Sequence, residues 1–133
     1  MIRVALRDIL EGQEALQKLS NQQLPGRIAF RIGRLLKKLE EVLTSYNEVR
    51  NNLLEKYAKR KEDGTFELND KNEYQFGEEH MKIFVEEMNK LVAEETSVEA
   101  DPIKFSDIEN LDFTPADITL LEPFLNLEED ENK

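Results

Sequence analysis

An apolar seam between Pro25 and Lys59 decides most of what this chain can fold into. Ile28, Ile32, Leu35, Leu39, Val42, Tyr46, Val49 and Leu53 recur at alternating steps of four and three, the spacing that lines one side of an α-helix. Leu36, Leu43, Leu54 and Tyr57 widen the line into a face, and between Ile28 and Tyr57 only Gly33 interrupts the run. Pro25 suits the first position of a helix, where its missing N–H costs nothing. The spacing predicts one helix over about 25–59, ~50 Å long at 1.5 Å per residue. Such a stripe is stable in water only when something covers it.

The rest of the chain offers several covers. Gly77, Glu78 and Glu79 open a second helical pattern to about residue 95, with acids where the helix dipole favours them. Met81, Phe84, Val85, Met88, Leu91 and Val92 form its apolar stripe, the natural antiparallel partner of the long helix. That stripe spans only about a third of the seam, so the terminal segments or a second copy of the chain must cover the remainder. Asp63-Gly64 is a tight-turn signal. Thr65-Phe66-Glu67-Leu68 and Glu73-Tyr74-Gln75-Phe76 alternate about the polar stretch Asn69 to Asn72, which predicts a β-hairpin.

At the amino end, Ile2, Val4 and Leu6 alternate as a strand, and from Asp8 the period changes to that of a modest helix through Ile9, Leu10, Leu16 and Leu19, weakened at Gly12. The stretch from Val98 to Phe105 reads as extended, with Pro102 at a strand end or edge, and is the expected mate of the first strand. Ser106 to Glu109 and Thr114 to Asp117 carry the Ser/Thr-x-x-acid pattern that starts helices. The second of these leads into Ile118, Leu121, Phe124 and Leu125. The predicted fold class is α+β, mostly α: a long antiparallel helical hairpin with a small terminal β-sheet and a β-hairpin at the far end. Residues 1–127 are read as a single domain and 128–133 as an acidic tail.

The absence of cysteine excludes disulfides and thiolate metal sites. No run approaches a membrane span and the first residues lack a signal-peptide core, so a cytoplasmic protein is expected. His80 beside Glu78 and Glu79 lacks the convergent ligands of a metal or acid–base site. Asp70-x-Asn72 fails as a calcium loop because the central glycine is missing and Met81 falls at the twelfth position. Glu86 with Glu87, and Glu94 with Glu95, read as a solvated face. With no phosphate-cradling loop and no nucleophile elbow, neither catalysis nor a cofactor is expected.

Charge is the remaining signal. Residues 1–60 hold 12 Lys and Arg against 7 Asp and Glu, and residues 61–133 hold 6 against 22. Arg27, Arg31, Arg34 and Lys38 follow the four-three-four spacing of one flank of the long helix, at its positive end, with no acid before Glu40. Cations there oppose the dipole by about 0.3–1 kcal/mol each at the terminus, so an anionic neighbour is expected: the acidic half of the same chain, or a partner. Protein is favoured over nucleic acid as that partner, because no aromatic residue interleaves the row and the net charge of −11 repels phosphate at long range.

Leu24-Pro25 leading into a Lys/Arg-then-Glu helix, Glu62-Asp63-Gly64 at its end, Pro102-Ile103-Lys104 before Ser106-Asp107, Thr114-Pro115-Ala116-Asp117 and Leu121-Glu122-Pro123-Phe124 together resemble small proteins of unassigned function encoded by tailed bacteriophages and prophages. The resemblance implies an origin in a host cytoplasm or in association with a virion, and transfers no site residues. The expectation it supports is a non-enzymatic phage-type protein that acts through protein–protein contacts, as an assembly accessory or adaptor. Two alternatives stand beside it: an inhibitor of a host nucleic-acid enzyme, by acidic mimicry or docking, and nucleic-acid binding through the basic row.

Overall fold

In a computed structural model that describes residues 1–126, the chain runs through strand β1 (Ile2–Ala5), helices α1 (Leu6–Glu11), α2 (Gln13–Ser20), α3 (Gly26–Tyr57) and α4 (Glu78–Ala93), strands β2 (Glu95–Val98) and β3 (Ile103–Lys104), helices α5 (Phe105–Ile108) and α6 (Pro115–Leu121), a 3-10 turn over Glu122–Phe124, and strand β4 (Leu125–Asn126). The fold is α+β and mostly α, as predicted. The acidic tail over 128–133, and residue 127 before it, lie outside the described residues. Packing divides the chain into two compact units, one from Met1–Leu43 with the segment from Ala93 onward, the other from Thr44–Val92. Helix α3 contributes to both.

The first unit holds nearly all of the core. Ile9, Leu19, Leu35, Ile108, Leu121 and Phe124 are fully buried, with Ile32 and Leu39 of the seam beside them in the buried set. β1 pairs antiparallel with β2, Ile2 opposite Val98 and Ala5 opposite Glu95. The Leu6 N–H extends the pairing by donating to the Glu94 carbonyl at 3.0 Å. The mate of β1 therefore starts at Glu95, which the helical pattern had claimed, and not at Val98. Ile103–Lys104 pairs instead with Leu125–Asn126, in parallel. Pro123 ends α6 early: with no N–H to give, it holds Glu122–Phe124 as a 3-10 turn, and Leu125 becomes strand rather than helix. Thr114 caps α6 as its pattern predicts, accepting from the Asp117 N–H at 3.1 Å while the Asp117 carboxylate accepts from the Thr114 N–H at 3.2 Å. The Ser106 pattern behaves differently, since α5 begins at Phe105 with Lys104, two residues before Ser106, at its cap position.

The amino-terminal helix expected over residues 9–19 is two helices broken at Gly12. A side chain there would lie 3.0 Å from the Asp8 carbonyl oxygen, 3.2 Å from that of Leu120 and 3.3 Å from Cε2 of Phe124. Two of those neighbours are backbone and the third is fully buried, so none yields readily. Gly12 lets the α1–α2 junction lie directly on α6.

The second unit pairs the later half of α3 with α4 through a compact cap of backbone. Where a two-stranded hairpin was predicted, three segments meet. The Lys59 N–H donates to Gln75 O (2.7 Å), the Gln75 N–H to Glu67 O (3.2 Å), and the Glu67 N–H to Lys59 O (2.9 Å), closing a ring. Single bridges Ala58–Phe76, Arg60–Phe66 and Leu68–Tyr74 flank it. Each segment divides its hydrogen bonds between two others, so no pair extends into a ladder. Gly64, at φ 88°, and Asn72, at φ 61°, turn the corners. Aromatic rings fill the cap: Phe66 meets Tyr74 edge-on at 5.2 Å, Phe76 lies 4.6 Å from Phe84, and the Arg60 guanidinium sits 4.5 Å above Phe66. Leu54 is the one buried seam residue of this unit, and Phe84, Met88, Leu91 and Val92 form a half-buried stripe on α4. Met81 and Val85, expected in that stripe, are 47% and 43% exposed.

Gly12→Ala is expected to destabilise the protein by roughly 1–3 kcal/mol, the cost of overpacking a filled site, despite the better helix propensity of alanine. Denaturant unfolding measures it. A second expectation concerns acid. The ion pair between Lys18 Nζ and Asp117 Oδ2, 2.7 Å apart, ties α2 to α6. The Lys18 hydrogen bond, followed by the Thr114 N–H, holds the Asp117 carboxyl below the usual carboxylate range. A carboxyl depressed on folding contributes stability that is present above its unfolded pKa and lost as pH falls through the folded one. Asp117→Asn should therefore melt below wild type at neutral pH, and the gap should close as pH drops below that range.

Candidate interaction surface on the long helix

The four cations of the basic row meet three different fates. Arg31 is half-buried, and its Nη2 donates to Asp107 Oδ2 of α5 at 3.2 Å. Its Nε is buried without a hydrogen-bond partner. Lys38 lies 3.9 Å from Glu41 of its own helix, a loose contact across one turn. Arg27 and Arg34 are exposed, and neither makes an ion pair with any described residue. Among the described residues, the acidic half of the chain thus reaches the row at Arg31, through Asp107.

Between the two free arginines stands Phe30, 70% exposed. It is three residues after Arg27 and four before Arg34, so the three side chains share one helix face. The two guanidinium-bearing positions are separated by about 10 Å along the axis at 1.5 Å per residue. The expectation that no aromatic interleaves the row is corrected here. Phe30 lies off the heptad seam, and that is the signal it offered: a large apolar residue outside the apolar face of an amphipathic helix has no core to enter. Phe30, Arg31 and Arg34 form one wall of a cleft of about 300 Å³. Its other walls come from Met1, itself 76% exposed, and from Glu99, Ala100 and Asp101 after β2.

No protein-family model matches the chain, and comparison with curated proteins and with solved structures finds no match. The chemistry of the surface is what remains to read. An exposed aromatic flanked by arginines is the composition enriched at the centres of protein interfaces. The two carboxylates across the cleft oppose a polyanion, while leaving a zwitterionic protein surface acceptable.

Elsewhere the side chains have structural work. The His80 ring meets that of Tyr57 edge-on at 5.7 Å. Asn69, just before the rejected calcium stretch, uses its Oδ1 to accept from the N–H groups of Lys71 and Glu73 at 2.8 and 3.0 Å. Asp63 likewise accepts from the Thr65 hydroxyl and N–H, which lower its pKa. Among the described residues no group of three or more His, Asp or Glu could hold a metal ion, and no helix is long and apolar enough to cross a membrane.

The split of the row separates two substitutions that the sequence treats alike. Arg31→Gln is expected to lower stability by up to about 1 kcal/mol, less at high salt, because a partly shielded pair is lost. Arg34→Gln should stay within about 0.5 kcal/mol of wild type, or rise slightly as like charges near the helix start are relieved. Parallel thermal melts at low and high ionic strength distinguish them.

Proposed function

We propose that this is a non-enzymatic protein of phage type that works in a host cytoplasm by binding another protein, as an assembly accessory or adaptor, through the face formed by Arg27, Phe30 and Arg34. The observation that carries the reading is Phe30, held out in solvent between two arginines that no described carboxylate neutralises. Exposing an aromatic ring forgoes the stabilisation that its burial brings, of the order of 1.5–3 kcal/mol, and large apolar side chains presented with arginine are the anchors on which binding energy concentrates. The resemblance to small tailed-phage proteins supplies the setting.

Position 30 is also the place to test it. With a photoreactive benzoylphenylalanine in place of Phe30, illumination of producing cells should yield adducts to polypeptide, and Arg34→Glu should reduce them. The same group at exposed Glu62 serves as the control. Adducts chiefly to nucleic acid, or no more from position 30 than from position 62, would overturn the proposal.

A further inference from the structure

The first unit carries a second surface whose chemistry is the counterpart of the Phe30 face. A groove of about 400 Å³ runs between α1–α2 and α3, lined by Ile9, Leu16, Leu36, Leu39 and Leu43 and rimmed by Glu14, Gln17 and Glu40 among its polar side chains. Its floor is aliphatic and its rim carries acid. Glu14 is exposed and makes no ion pair with any described residue.

The two surfaces are complementary term by term. One presents an aromatic side chain with a cation on either side; the other presents an aliphatic trough with carboxylates on its rim. They also point apart. Leu39 is nine residues after Phe30, or about 180° round the helix at 3.6 residues per turn, so α3 shows the anchor on one side and the trough on the other. A molecule built this way cannot satisfy its own anchor. Nor does a two-fold symmetric contact serve, because both surfaces would have to face the same partner at once, which their opposite directions on α3 forbid.

We infer that a second copy of this chain occupies the groove, its Phe30 seated on Leu36, Leu39 and Leu43 and its Arg27 and Arg34 against the acidic rim. This rests on the proposed function, naming the partner as the chain itself. A contact between two different patches is heterologous, and repeats into a ring where the rotation closes or a filament where it does not. The net charge of −11 sets its salt dependence. At low ionic strength copies repel over tens of ångströms, whereas near physiological salt only neighbouring charges are felt, so association should strengthen on moving from the first condition to the second.

The test uses two variants changed only at exposed positions. Phe30→Ser with Arg34→Glu removes the anchor and leaves the groove. Glu14→Lys with Gln17→Lys spoils the rim and leaves the anchor. Circular dichroism confirms that each is folded, and analytical ultracentrifugation over a concentration series gives the assembly state. Wild type is expected to form species larger than a dimer, and each variant alone to lose association by roughly tenfold or more, the loss typical of a hot-spot residue. A mixture of the two should form a one-to-one dimer that grows no further, since only one working anchor meets one working groove. Monomeric wild type up to millimolar concentration overturns the inference, as does a dimer abolished by the first variant but untouched by the second, which would mean a symmetric contact. Either result leaves the proposed function standing if position 30 still crosslinks to another polypeptide, and that reading fails separately if it does not.

Discussion

The seam of α3 needs cover from water, and the two units supply it unequally. In the first unit Ile32, Leu35 and Leu39 enter a core shared with short elements from both chain ends, among them Ile9, Leu16, Ile108 and Phe124. In the second unit the cover is thinner, with Leu54 as its buried anchor and aromatic rings stacked at the helix end. Val49, Met81 and Val85, left partly outside, belong to this second unit. A long helix with few residues to wrap it yields this distribution, because burial scales with what can be brought against it.

Charge follows the same division. A cation inside the first turns of a helix is tolerated when an acid answers it, and Asp107 answers Arg31 from α5. Arg27 and Arg34, exposed on the same turns, make no ion pair with any described residue. Their electrostatic cost is small in water and becomes useful when a partner supplies the opposite charge in a drier contact.

Long-period features were legible in the sequence. The heptad spacing gave α3 to within two residues of each end, Thr114 with Asp117 marked α6, and the alternation of Ile2 and Val4 marked β1. What escaped depended on contacts between distant segments. Nothing local to Glu95 says that it leaves a helix to pair with Ala5. Gly12 reads as a weak helix position, whereas its reason is the carbonyl of Leu120. The spacing of the basic row does not show which of its cations meets Asp107. Phe30 falls outside the periodic stripe that marks α3, and residues outside such a stripe are the ones a surface uses.

The ring at Lys59, Glu67 and Gln75 has a consequence for how this molecule meets its neighbours. A two-stranded hairpin keeps two open edges, each a row of unpaired N–H and C=O groups onto which another strand can add. Here the N–H and C=O of all three residues are spent on one another in a closed cycle. At its centre the cap has nothing left to offer a passing strand, so the cross-strand zippering that lengthens sheets into fibres finds no template there. Side chains, and not exposed backbone, are left to choose the company that the helical hairpin keeps at that end.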